Sequence, residues 1–323
     1  MSEYVFNAIS NTPETTTAAA GRGLTVTLLE TLATLDAFPG RGNRPLKLPA
    51  NPWVLPFGRN DVGTEISFGD LAHTLYDTAE TYPLAVYFDA LNSHAPATAA
   101  LDDTAIDAIL RINPTAAIAG QEAVYDAVRA AGFDAVQCLV TGGTLVSLDR
   151  EPWRFATARF ECDGAPVSLE HASRPAHVDE LEAEDRLVAR RLVTRRNFAA
   201  YRGRAFPCLA WGADVEDQME RFPAEYLQLA FNRLAALDDI VRQWRVSGAA
   251  APDPGSLVFR SESDLTMQNY GDQRRYRSAS GQMVTYEIHI WIDTGTRLHF
   301  ILDTDGRGIE VGYLGTHLKT WRF

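Results

Sequence analysis

Apolar residues recur at Leu24, Leu28, Leu32 and Leu35, a helical spacing that predicts a helix over 24–38 stopped by Pro39-Gly40. Before it, residues 1–22 are polar and Thr/Ala-rich, and they read as a flexible leader or a first edge strand. After it, four prolines around Trp53 within 40–63 exclude a regular helix or a central strand. This stretch is expected to be an extended loop that Trp53 pins to the body. Ser67, with Asp70 three residues on, is a shortened capping box that opens a helical segment over 67–91. Leu71, Leu75, Thr78 and Tyr82 follow one stripe of it, and Pro83 marks an interruption before a second helix over 84–92. Two more short helices are expected over 102–112 and 120–131, the latter closed by Gly132 as a left-handed C-cap residue.

The period then changes. Residues 135–140 and 144–148 are rich in strand formers and flank Gly142-Gly143, which predicts a hairpin. A second strand pair is expected over 153–162 and 167–172, across Asp163-Gly164. From His177 the pattern is helical again, and 223–245 is an amphipathic helix with Tyr226, Leu229, Leu234, Leu237, Ile240, Val241 and Trp244 largely on one side. The Gly/Ala/Pro run 248–255 reads as a linker. Beyond it, 256–270 suggests a short strand and turn, and 283–292, 297–303 and 309–313 read as a three-stranded meander. Runs of helix followed by runs of strand point to the α+β class. The expected organisation is an acidic body over 1–175 (helices plus an antiparallel sheet), a helical region over 176–248 and a small antiparallel β-rich module over 256–323.

Composition narrows the function classes. The net charge of −12 is uneven: residues 1–175 hold 11 Lys+Arg against 21 Asp+Glu, whereas 256–323 hold 8 of each. The acidic first half is a poor nucleic-acid platform. Cys138, Cys162 and Cys208 are odd in number and far apart, which points to free thiols in a reducing cytoplasm. There is no apolar run long enough to span a bilayer and no basic-then-apolar secretory signal at Met1, so a cytoplasmic protein with no membrane partner is expected. Neither GxGxxG nor GxxxxGK[ST] occurs, so no nucleotide cofactor is indicated.

Candidate chemistry concentrates toward the C-terminus. Seven arginines lie between Arg186 and Arg204 after an acidic start, a charge order that complements a helix dipole. Arg190, Arg191, Arg195 and Arg196 then either form a solvated face with internal ion pairs or contact phosphates or an acidic protein partner. Arg274, Arg275 and Arg277, beside Tyr270 and Tyr276, are the nucleic-acid candidates. Strand alternation puts Arg297, His299 and Ile301 on one face, and His289 joins them if the register allows. His289 and His299 are then either a cross-strand pair or catalysts. With Asp303 they could ligate a metal, but no H-x-H or HExxH spacing supports one and no metal or other cofactor is expected. Ser147, Cys138 and His171 form no recognisable nucleophile triad.

The run from Arg297 to Gly306, followed by Ile309-Glu-Val-Gly-Tyr-Leu-Gly-Thr-His317, resembles the closing strands of RelE/ParE-type toxins. The resemblance spans about 35 of the 323 residues. The whole chain is also similar to uncharacterised bacterial proteins of defence gene neighbourhoods. This resemblance implies RNA cleavage without metal, with Arg297 stabilising the developing charge and His299, His317 or Tyr313 moving protons. The rival expectation is a non-enzymatic assembly subunit of a multi-protein defence complex. Cleavage would require Arg297 and a histidine exposed together in a cleft; a scaffold would not.

Overall fold

A computed structural model describes residues 3–38, 44–94 and 101–321. It is α+β and divides into two compact units, Met1–Ala183 and Glu184–Phe323. In chain order the first unit holds β1 (Tyr4–Phe6), α1 (Ala18–Ala37), β2 (Leu46–Lys47), β3 (Pro56–Arg59), β4 (Glu65–Ser67), α2 (Phe68–His73), α3 (Tyr82–His94) and α4 (Asp103–Arg111). It continues with β5 (Pro114–Ala117), α5 (Glu122–Ala131), α6 (Phe133–Thr141), β6 (Thr144–Val146), β7 (Thr157–Cys162), β8 (Ala165–Ala172) and the start of α7 (Pro175–Leu192).

Six of these strands form one sheet in the order β2-β1-β6-β8-β7-β5. It is mixed: β1 pairs parallel with β2 and β6, and β6 pairs parallel with β8, while β8, β7 and β5 run antiparallel. The expected antiparallel sheet is therefore present in only half of it. Tyr4–Phe6 is an interior, fully buried strand of this sheet, not a leader or an edge. The period-2 rule accounts for the layers. Tyr4, Phe6 and Val146 face a core built with α1 to α3, whereas Val5 and Leu145 join a separate core with α5 and α6.

Local signals behave as their chemistry dictates. Thr17 caps α1, which starts six residues before the first leucine of its stripe. The Ser67/Asp70 capping box closes in both directions, at 3.0 Å and 3.3 Å. Asp163 and Gly164 take φ of 50° and 78°, the turn expected between β7 and β8. Trp53 lies across Gly69, where an added Cβ would meet its ring at 2.6 Å. Pro39 and Gly40 lie outside the described residues.

The hairpin expected at Gly142-Gly143 is absent. Residues 135–140 belong to α6, and Gly142 (φ 67°) is its left-handed C-cap. Gly143 passes so close to β1 that a Cβ there would sit 2.7 Å from the Glu3 carbonyl oxygen. Two adjacent glycines here serve a helix end and a close approach, a combination the apolar run Ala-Val-Gln-Cys-Leu-Val cannot reveal by periodicity. Gly132 has φ of 54° but ψ of −115°, so it links α5 to α6 as a sharp corner outside the left-handed helical region.

The second unit contains the rest of α7, α8 (Phe198–Ala205), β9 (Leu209–Trp211), α9 (Val215–Arg221), α10 (Leu227–Ser247), β10 (Arg260–Ser261) and α11 (Asp264–Tyr270). After these come β11 (Arg275–Arg277), β12 (Met283–Thr285), β13 (Ile288–Trp291), β14 (Thr296–Asp303) and β15 (Gly308–Thr316). A five-stranded sheet runs β10-β13-β14-β15-β9, antiparallel except for β9 alongside β15. The expected meander is its centre only from Ile288 onward, because 283–292 divides into β12 and β13, the former paired with β11 in a separate two-stranded sheet. Strand β9 is an addition that three residues of sequence could not announce. Leu234, Leu237 and Val241 of α10 share one hydrophobic cluster with Leu298, Phe300, Ile309, Val311 and Leu314. Leu229, expected on the same stripe, is exposed. The run 248–255 therefore lies inside a unit whose halves form one core, and the border between units falls within α7. Arg307 donates to the carbonyls of Gly248 and Ala249, and the Trp244 indole N–H to that of Ala249, which orders the run.

Gly312 shows how tight this sheet is. A Cβ there would lie 2.3 Å from ring atoms of Tyr286, itself wholly buried with its hydroxyl bonded to Glu310. Gly312→Ala is expected to lower the unfolding free energy by about 3 kcal/mol, as overpacking of a closed core does. Urea denaturation checks this, and an unchanged midpoint would refute it.

Candidate acid–base cleft

The site of the second unit is assembled by register. On the β13–β14 ladder His289 pairs with His299, ring centroids 5.1 Å apart, and on β14–β15 His299 pairs with Tyr313. On the outer side Arg260 of β10 pairs with His289, and the Glu262 N–H donates to the Glu287 carbonyl at 3.2 Å, extending the same edge. Glu262 thereby reaches the imidazoles: its Oε1 lies 3.6 Å from His289 Nδ1. Arg274 fixes that carboxylate, donating to the same oxygen from Nε at 2.9 Å and Nη2 at 2.7 Å. The remaining donors of Arg274 reach the carbonyls of Tyr270 and Lys319.

All three imidazoles are held toward the neutral form. Burial pushes His299 down to about 3, assisted by His289. Burial is also the main cause of the lowered values of His289, against the pull of Glu262, and of His317, where Arg297 adds. His299 Nδ1 lies 3.1 Å from the Tyr286 carbonyl, which only accepts, so Nδ1 carries the proton and Nε2 the lone pair.

A cleft of about 620 Å³ opens onto this cluster, lined among others by Arg260, Glu262, His289, Trp291, His317 and Trp321. Trp291 and Trp321 are 46% and 58% exposed, and the Arg260 guanidinium lies 5.1 Å from the Trp291 ring centre.

Of the four residues expected to be catalytic, only His317 lines this cleft. Arg297 is 4% exposed. Its Nη1 donates to the carbonyls of Asp293, Thr294 and Thr296, and its guanidinium lies 4.2 Å from the Trp291 ring centre, so it staples the β13–β14 turn. His299 is 1% exposed beneath His289. Tyr313 is buried, stacked on Tyr276, and donates to the Thr316 carbonyl. The condition set for cleavage, Arg297 and a histidine exposed together, is therefore not met; His317 and the largely buried His289 instead line the cleft with Arg260. Arg260 and Glu262 were missed in the sequence, where only their spacing of two on a short strand hints that they share a face.

The arginine clusters are partly consumed. Arg274 is buried against Glu262, Arg277 pairs with Asp214 at 2.6 Å, and Arg275 is exposed. Arg190 bonds the buried Asp238 at 2.8 Å together with Asp239 at 2.9 Å, and Arg195 donates to the Phe222 carbonyl. Only Arg191 and Arg196 of that quartet remain exposed. Asp303 does not join the histidines; it accepts from the Gly306 N–H in the β14–β15 turn.

No known family, curated protein or solved structure matches the chain. Its chemistry therefore rests on its own geometry. Among the described residues no helix is long and apolar enough to cross a membrane.

In the first unit Ser147 and His171 do meet: Nε2 lies 2.7 Å from Ser147 Oγ, which also accepts from Asn7 at 2.9 Å. His171 Nδ1 donates to the Phe155 carbonyl at 2.6 Å, where a catalytic triad would have a carboxylate. Asn7, Ser147 and His171 are all wholly buried, so this is an internal polar network with no path for substrate.

Proposed function

We propose that the cleft of the second unit engages single-stranded RNA and cleaves it by transesterification, as a toxin-like component of a bacterial defence system. The observation that carries this reading is that Glu262, His289 and His317 line one cleft with Arg260. Neutral His289, with the Glu262 carboxylate 3.6 Å from its Nδ1, suits the removal of the 2′-hydroxyl proton. The O2′–P bond then forms as the P–O5′ bond breaks, and His317 delivers a proton to the leaving oxygen. The phosphodiester anion itself favours protonation of His317 when it binds. Arg260 lines the same cleft and suits the charge that grows on the phosphoryl oxygens, and Trp291 and Trp321 offer apolar surface to unstacked bases. Such chemistry needs an internal nucleophile and two proton-transfer groups, which is what RNA and this cleft supply together.

The test is an assay of the purified protein on labelled single-stranded RNA. The expected products carry 2′,3′-cyclic phosphate and 5′-hydroxyl ends, and DNA of the same sequence stays intact. His289→Ala and His317→Ala are each expected to lower the rate about 10²–10⁴-fold, and Glu262→Gln to lower it measurably, with folding intact by circular dichroism. Equal rates in wild type and both histidine variants would overturn the reading. Intact RNA with well-folded protein would favour the second reading, an assembly subunit. Its support is the run of exposed apolar side chains Leu187, Val188 and Leu192 beside Arg191 on α7.

A further inference from the structure

Glu262, His289 and His299 each offer one ligand atom, and the three atoms lie within 4.8 Å of one another, the one such group among the described residues. We propose that they form a binding site for a divalent transition-metal cation of the zinc class, and that the bound cation switches off the cleft.

The independent observation is His289. The residue is 9% exposed, and its Nδ1 is buried without a hydrogen-bond partner, since Glu262 Oε1 at 3.6 Å is beyond hydrogen-bond reach. A buried imidazole nitrogen left unpaired is costly, and coordination would satisfy it. The surroundings are those of prepared ligands. His299 gives its Nδ1 proton to the Tyr286 carbonyl, which leaves Nε2 as donor to a cation, and Arg274 holds one oxygen of Glu262 while the other remains available. The lowered protonation of both imidazoles agrees with this geometry. Two imidazole nitrogens and one carboxylate suit zinc, cobalt, nickel or iron; calcium and magnesium demand oxygen ligands. The positive charge of Arg274 and Arg297 weakens the site relative to a closed structural zinc centre.

Binding stands on these atoms alone, whereas the inhibitory half rests on the proposed ribonuclease reading. A cation on Nδ1 of His289 leaves the proton of the neutral imidazole on Nε2, so the ring has no lone pair with which to take up the 2′-hydroxyl proton.

The experiment uses the full chain stripped with a chelator. Zn²⁺ is titrated calorimetrically, Co²⁺ by its visible absorption, and RNA cleavage is then measured across the same Zn²⁺ series. One equivalent is expected to bind, with tetrahedral Co²⁺ bands. Glu262→Gln, His289→Asn and His299→Gln, each shown folded by circular dichroism, should weaken binding by at least about tenfold. A His73→Ala control, in the first unit, should bind as wild type does. Cleavage should fall as the site fills and return with excess chelator. Absence of saturable binding, or equal affinity in all three ligand variants, overturns the site. Binding with unchanged or increased cleavage overturns the inhibition and leaves the site standing. A protein that binds the metal but never cleaves RNA refutes the ribonuclease reading and with it the inhibition, while the site stands.

Discussion

Arg274→Met is expected to destabilise the second unit by about 3–5 kcal/mol, the cost of removing one member of a buried ion pair and stranding the other. The side chains of Arg274 and Glu262 are 1% and 8% exposed, so the carboxylate left behind has little water to solvate it. Four of the six tryptophans (Trp211, Trp244, Trp291 and Trp321) belong to this unit, so the fluorescence change in urea reports mainly on its unfolding. The double variant Arg274→Met/Glu262→Leu separates two causes. If the cost is the orphaned carboxylate, the double variant recovers much of the loss, because a matched apolar pair can replace a buried ion pair almost neutrally. If instead the lost bonds to the Tyr270 and Lys319 carbonyls dominate, the double variant stays as unstable as the single one, and the explanation through Glu262 fails. The same pair positions the cleft's carboxylate, so fold and site share one contact.

Acid is expected to destabilise the first unit through His171. Burial is the main cause that pushes its pKa down to about 3, against an ordinary value of 6.5. The folded state thus binds fewer protons than the unfolded chain. Its stabilising contribution is complete above pH 6.5 and is lost as pH falls toward 3, at about 1.4 kcal/mol per pH unit. Between pH 6.5 and 4 this amounts to about 3 kcal/mol. His177, lowered to about 4 by burial and by Arg174 against the opposing pull of Asp149, acts in the same direction. His171→Asn should be less stable than wild type at pH 7, because Ser147 and the Phe155 carbonyl lose their partner. Its stability should nonetheless fall less steeply between pH 7 and 4. Parallel pH curves for the two proteins would show that His171 does not carry the acid sensitivity.

The site divides along similar lines. Alternation on β14 placed Arg297 and His299 on one face, and the structure does bring His289, His299 and Tyr313 together across three strands. Alternation says nothing, however, about which face is covered. That face is mostly internal, so Arg297 spends its donors on the turn before it and His299 packs under His289. The working edge is the outer strand, where Arg260 and Glu262 sit more than twenty residues before their partner His289. A two-residue strand carries almost no pattern, and its pairing is a long-range event.

What the chain determines by itself is local. The capping box at Ser67, the Asp163-Gly164 turn, the long helix ended by Gly248 and the C-terminal meander depend on residues within a few positions of one another, whose backbone preferences differ by amounts that survive in any context. Tertiary structure decided the rest. It buried Tyr4–Phe6 between two strands, turned 135–140 into helix, and joined α10 to the C-terminal strands in one core. It also settled Arg190 into an internal ion pair, one of its two expected roles, and turned Arg274 from a nucleic-acid candidate into a member of a buried ion pair. Those outcomes turn on which apolar face finds which partner and which charges lose their water, free energies that exist only once distant segments have met.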